Sequence, residues 1–167
     1  MGEIYSIVNQ KGGVGKTTSA VSIAAILGKR GHKTLLVDFD PQANATSGLG
    51  LYDHRFTYTV YDALIRAVDV NKAIYPTAIE NLSILAASKD LAGAEIELVS
   101  EFNRERFLLN CLARIKDQFD YILIDCPPSL GLLTINALTA SHWVIIPVQA
   151  EYYALEGLTQ LANTINL

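Results

Sequence analysis

Short apolar runs alternate along the chain with longer stretches of helical periodicity. The runs at residues 4–8, 34–37, 82–87, 121–124 and 143–148 each read as a strand. Residues 34–37 lack polar alternation, which suits a parallel strand covered on both faces. Residues 18–27 hold Val21, Ile23, Ala24, Ala25, Ile26 and Leu27, apolar on most sides. They predict a well-buried helix, stopped around Gly28 and Gly31. Residues 42–50 are small and polar and read as a loop. Residues 60–67 predict a short amphipathic helix with Val60, Tyr61, Leu64 and Ile65 on one side, and 69–75 a further turn or two. Residues 91–99 are weakly helical. Phe107, Leu108, Cys111, Leu112, Ile115 and Phe119 recur at helical spacing and predict one helix over 103–118. Residues 130–140 read as a helix after Pro127 and Pro128, and a last helix starts at Ala154.

This order implies an α/β fold: a doubly wound, mostly parallel sheet with helices on both faces. In such sheets a ligand sits at the carboxyl ends of the strands. No repeat, low-complexity tract or linker interrupts the 167 residues, so a single domain over 1–167 is expected. The periodic residues 155–167 carry no terminator, and no strand pattern follows the fifth run. The expectation is a domain lacking its C-terminal strands and helices.

Composition narrows the function classes. Half of the residues are hydrophobic and 18% charged, as in a soluble globular protein, and no apolar run approaches membrane-spanning length. A net charge of -4 argues against a generally basic nucleic-acid binder. Arg104, Arg106, Arg114 and Lys116 form the main basic cluster, but Glu101, Glu105 and Asp117 dilute it into a solvated helix face. Cys111 and Cys126 form no C-x-x-C pair, which fits structural thiols in a reduced cytosolic setting and weighs against an iron–sulfur protein.

The chemistry concentrates at residues 9–18, N-Q-K-G-G-V-G-K-T-T, between the first strand and the first helix. A strand, a glycine-rich turn and a helix make a phosphate cradle: Gly12, Gly13 and Gly15 allow close backbone approach, and the loop amides and helix N-terminus face an anion. The candidate ATP-binding residues are Lys11, Gly12, Gly13, Val14, Gly15, Lys16, Thr17 and Thr18. Lys16 reaches terminal phosphates and the Thr17 hydroxyl suits Mg²⁺. The common pattern places glycine where this chain has Gln10, and it adds Lys11 at the loop entrance. One lysine suffices for one nucleotide, so Lys11 is expected to reach the nucleotide of a neighbouring subunit. Asp38, Asp40 and Asp125 also fall at strand carboxyl ends. Asp125 suits a magnesium shell through water. Asp40, held between Phe39 and Pro41, suits orienting the attacking water and is a candidate for the metal site as well. For Asp38 two roles stay open, indirect magnesium contact or bracing of the loop.

K-G-G-V-G-K-T-T from Lys11, V-D-F-D-P-Q-A-N-A-T-S-G-L-G from Val37, Y-I-L-I-D-C-P-P-S-L-G from Tyr121 and E-Y-Y-A-L-E-G from Glu151 resemble the ParA/Soj family of deviant Walker A partitioning ATPases. The resemblance implies a weak, Mg²⁺-dependent ATPase of the P-loop fold. It implies an ATP-state homodimer in which Lys11 crosses to the partner's nucleotide, with Lys16 and Thr17 as the phosphate and magnesium residues. Asp40 matches the aspartate needed for hydrolysis, Asp125 the Walker B aspartate, and Gly12 the small residue whose enlargement blocks dimerisation. Glu151 contacts the nucleotide or the partner, or is an ordinary loop carboxylate. The resemblance further implies non-specific DNA binding, a ParB-like partner that stimulates hydrolysis, and a cytoplasmic, nucleoid-associated setting with no membrane contact. Members of this family run past the end of this chain, and their adenine contacts and most of their basic DNA-binding residues lie there. The alternatives are a MinD-like membrane-associated ATPase and a fragment that binds nucleotide without turning it over.

Overall fold

The run that becomes β2 (Thr34–Asp38) is buried at all five positions. Its place explains why: β2 lies inside a sheet with helices on both sides. The computed structural model describes residues 2–150 and 162–163. Its other strands are β1 (Glu3–Ile7), β3 (Ile74–Pro76), β4 (Leu82–Leu85), β5 (Tyr121–Asp125) and β6 (Trp143–Ile145). They form one six-stranded sheet in the order β3-β4-β2-β5-β1-β6. Every pairing is parallel except β3 with β4. The mostly parallel, two-faced sheet expected of the sequence is the observed fold.

Successive strand residues feed two separate cores. Ile4, Val8, Leu35, Val37, Ile122 and Ile124 pack on one face, beneath α3 (Val60–Ile65), α4 (Leu91–Glu97), α5 (Phe107–Ala113) and α6 (Leu132–Ala140). Ile7, Leu36 and Leu123 pack on the other, against Ala20 and Ala24 of α1 (Lys16–Lys29). Each fully buried aliphatic side chain contributes roughly 2 kcal/mol relative to exposure.

Several elements depart from the sequence reading. Helix α1 buries its large residues only in part: Ala20, Ala24 and Gly28 face inward, Val21, Ile23 and Leu27 are half-buried against the core, and Ile26 is 52% exposed. Gly28 lies inside the helix, and a Cβ there would stand 2.7 Å from the Glu80 carbonyl oxygen. The stop is Gly31, left-handed at φ 88°, with its amide donating to the Gly28 carbonyl. Residues 42–50 are not all loop, because Asn44–Gly48 forms α2. The predicted turn at 69–75 is a 3-10 turn, Val70–Ala73, followed by β3, a strand too short and too proline-bound to announce itself.

The long helix expected over 103–118 is broken. Asn103 is left-handed at φ 54°, a 3-10 turn covers Arg104–Arg106, α5 stops at Ala113, and another 3-10 turn covers Lys116–Gln118. Asn136 of α6 accounts for the start of α5: its Oδ1 accepts from the Leu108 amide at 3.2 Å and its Nδ2 donates to the Arg104 carbonyl at 2.8 Å. Strand β6 ends at Ile145 rather than 148. The last predicted helix lies outside the described residues apart from Ala162 and Asn163, which are helical.

Candidate functional site

The loop between β1 and α1 is tied down at both ends. The Asn9 side chain accepts from the Lys11 amide at 3.0 Å and donates to the Pro147 carbonyl at 2.7 Å. Gln149 Nε2 donates to the Gly13 carbonyl at 3.1 Å. Gly13 and Gly15 hold left-handed angles, φ 75° and 90°, that side-chain-bearing residues rarely adopt. Gly15 is the N-cap of α1, supplies no side-chain cap, and the first turn contains no acidic residue. The positive end of a fourteen-residue helix therefore opens onto the loop. Lys16 is 6% exposed, and its Nζ donates to the Lys11 carbonyl at 3.1 Å. Burial pulls the Lys16 ammonium below its ordinary range, opposed by the nearby Asp125 and Asp40 carboxylates. An anion in the cradle would restore that charge.

Three aspartates gather on the strand ends beside it. Asp38 of β2 and Asp125 of β5 are register partners, both fully buried. Asp38 accepts from the Thr46 amide and hydroxyl, each at 2.7 Å, and from the Asp40 amide at 3.3 Å. It thus holds the start of α2, which follows the left-handed Ala43 at φ 52°. Burial pushes its carboxyl up to about 6 despite these donors. Asp125 is pushed up to about 7, by burial first and then by the Asp38 and Asp40 charges. Neither Asp125 oxygen has a hydrogen bond of full geometry; the Thr17 hydroxyl beside it and Lys16 only partly offset the shift. Asp40 is 6% exposed, and its Oδ1 accepts from the Gln42 amide at 2.9 Å.

Gly12, Gly13, Gly15, Lys16, Thr17, Thr18, Asp40, Asn44 and Pro128 line a cleft of about 250 Å³. Most residues expected at the site therefore meet in one place. Others stand apart: Lys11 is exposed outside the lining, Val14 is buried under the loop, and Asp38 and Asp125 lie beneath the cleft. Glu151 lies outside the described residues. Sequence reasoning gave no role of their own to Asn9, Asn44, Pro128 and Gln149. Asn44 and Pro128 stand inside P-Q-A-N and C-P-P, and those two motifs are their signal in the sequence. Nothing in the order of residues announces the contact of Gln149 with Gly13.

These donors fit a magnesium-bound polyphosphate. Among the described residues no three His, Cys, Asp or Glu side chains form a metal cage. Magnesium beside phosphate needs only one or two protein oxygens, the rest coming from phosphate and water. The two buried, unpartnered oxygens of Asp125 and the adjacent Thr17 hydroxyl supply that chemistry.

A family model described as an AAA domain matches residues 2–167. The chain belongs to the ParA/Soj family of AAA-domain proteins. It is 58% identical to the sporulation initiation inhibitor protein Soj of Bacillus subtilis, across the whole chain and 66% of that protein. It is 53% identical to the chromosome partitioning protein ParA of Myxococcus xanthus, across the whole chain and 59% of that protein. The chain thus spans less than two thirds of these relatives' lengths. Among solved structures, cobyrinic acid a,c-diamide synthase from Mycobacterium smegmatis, with bound ADP and magnesium, superposes with a TM-score of 0.94 at 43% identity. That match covers 99% of this chain and 67% of the other. Among the described residues, no helix of this ParA/Soj-family chain is long and apolar enough to cross a membrane.

Proposed function

We propose that this chain carries the nucleotide site of an Mg²⁺-dependent ATPase, one that dimerises on ATP and serves chromosome or plasmid partitioning. The observation that carries the reading is the convergence of an uncapped helix N-terminus, a buried lysine and Asp40 on one cleft, with the strand-end Asp125 buried beneath it. Similarity to Soj and ParA supports the partitioning role. The nucleotide and magnesium in the superposing synthase support the choice of ligand.

The loop amides and α1 hold the phosphates, and the Lys16 ammonium neutralises the terminal ones. The Thr17 hydroxyl and, through water, the Asp125 carboxylate would hold magnesium, which would screen phosphate charge. Asp40, fixed through the Gln42 amide, accepts a hydrogen bond from the attacking water and aims it at the terminal phosphorus. Asp38 braces α2 through Thr46 and so sets the position of Asn44 in the lining. Lys11, outside its own cleft, serves the nucleotide of a second subunit. DNA and a ParB-like protein are the partners in this reading.

Nucleotide binding, turnover and gel filtration with ATP, ADP and no nucleotide test it. Wild type should dimerise on ATP alone. Lys16→Ala should lose ATP binding. Asp40→Ala should bind ATP but turn over at least about a hundredfold more slowly, the usual loss for a well-placed catalytic group. Normal hydrolysis by Asp40→Ala would overturn that assignment. Co-sedimentation of the ATP-bound, full-length relative with DNA or with liposomes separates the partitioning role from a membrane-positioning one.

A further inference from the structure

We infer that Gln149 is a positioning residue for phosphate binding: by holding the Gly13 carbonyl outward, it aims the Val14 amide into the cradle. The inference deepens the proposed ATPase reading and rests on it. Three contacts, spaced two residues apart, join the loop to the chain that leaves β6. The Val8 amide donates to the Ile145 carbonyl at 3.0 Å, Asn9 Nδ2 to the Pro147 carbonyl at 2.7 Å, and Gln149 Nε2 to the Gly13 carbonyl at 3.1 Å. The first two fix the backbone from which Gln149 reaches. Its exposed side chain is thus presented to Gly13 with less freedom left to lose.

Packing leaves the peptide that Gln149 holds free to turn. An added Cβ at Gly12, Gly13 or Gly15 would meet nothing within 4 Å, so no neighbour wedges the loop at its glycines. Glycine populates both signs of φ at similar cost, and Gly13 stands at φ 75°. Val14, by contrast, is anchored by a side chain only 8% exposed. What stays loose between the two is the plane of the Gly13–Val14 peptide.

That plane decides what an anion meets. In a planar trans peptide the carbonyl and the following N–H point in opposite directions. Gly13 and Gly15 line the cleft, and Gln149 stands outside that lining. A Gly13 carbonyl turned to Gln149 therefore leaves the Val14 N–H on the cleft side, beside the positive end of α1. Turned over, the same plane would present a carbonyl oxygen to phosphate, a repulsive contact in place of a donor. Phosphate affinity thus depends on a side chain that touches no phosphate.

Magnesium pyrophosphate, which carries no base, is the probe. In calorimetric titration wild type should bind it, and Gln149→Ala should bind about fivefold more weakly, with an unchanged circular dichroism spectrum. Gln149→Met keeps the length and neutrality of the side chain without its donor and should lose as much. ATP should show the same fold-loss. In steady-state turnover the KM for ATP should rise by that factor while kcat stays within about twofold, the mark of lost uniform binding. In an isotope-labelled sample the Val14 amide resonance should shift when pyrophosphate is added to wild type, and shift less in both variants. Wild-type affinity in Gln149→Met would overturn the inference, since size alone would then suffice. A loss for ATP but not for pyrophosphate would put Gln149 on the nucleoside, and a fall in kcat at constant KM would put it at the reacting phosphate; either overturns the inference. A wild type that binds neither pyrophosphate nor ATP would overturn the ATPase reading, and the inference with it.

Discussion

Asp125 closes β5 with both carboxylate oxygens sealed from water and no strong donor to receive them. The fold accommodates it by favouring the proton, and the carboxyl moves from 3.8 to about 7. The consequence for stability has a definite sign. Below about pH 4 both folded and unfolded chains hold this proton, and the full contribution to stability is present. Between the two values only the folded chain holds it, so stability drains as the pH rises through 7. Asp38, raised to about 6, adds to the same trend over a slightly lower range. The ligand-free protein should therefore melt at a lower temperature at pH 8 than at pH 5. The slope from one group is at most about 1.4 kcal/mol per pH unit. Asp125→Asn should flatten the upper part of that profile, and thermal melts across pH check it.

At the level of elements, helices are set by what touches them as much as by their own residues. Helix α1 approaches β4 so closely at Gly28 that Gly28→Ala should cost about 1–3 kcal/mol through the Glu80 carbonyl clash, read as a lower denaturant midpoint. Gly48→Ala is the control: an added Cβ there would meet only the Val21 methyl at 3.6 Å, so it should be neutral or mildly stabilising. Helix α5 depends on Asn136, a fully buried side chain that bonds Leu108, Arg104 and Leu132. Asn136→Ala should cost about 2 kcal/mol and speed hydrogen exchange at the first turn of α5. These features also mark where the sequence stops being readable. The parallel strands were legible because runs such as Leu35, Leu36 and Val37 are apolar without interruption. The nucleotide loop was legible because its glycines and lysines are adjacent. The stop of α1 around Gly28 and Gly31 was legible, but not the division of labour between them: Gly28 is a packing glycine and Gly31 the turning one. The division of 103–118 and the short α2 escaped because their determinants, Asn136 and Asp38, lie 28 and 8 positions away from the amides they receive.

Across the whole molecule, β1 sits between β5 and β6, so the first strand of the chain is held by strands made from its later parts. The cradle inherits this arrangement through Asn9 to Pro147 and Gln149 to Gly13. Asn9→Ala should remove the bonds to the Lys11 amide and the Pro147 carbonyl and leave the Gln149 anchor in place. ATP affinity should fall by about tenfold, one to two hydrogen bonds' worth, and calorimetric titration reads it.

The tie between Gln149 and Gly13 joins positions 136 apart. A translating ribosome releases Lys16 early and Gln149 much later, so the nascent chain carries its glycine loop for most of synthesis without the contacts that shape it. Contacts this distant along the chain close slowly and last. Chains arrested before the codon for β6 should leave the ribosome unable to retain ATP, whatever else in them has already folded.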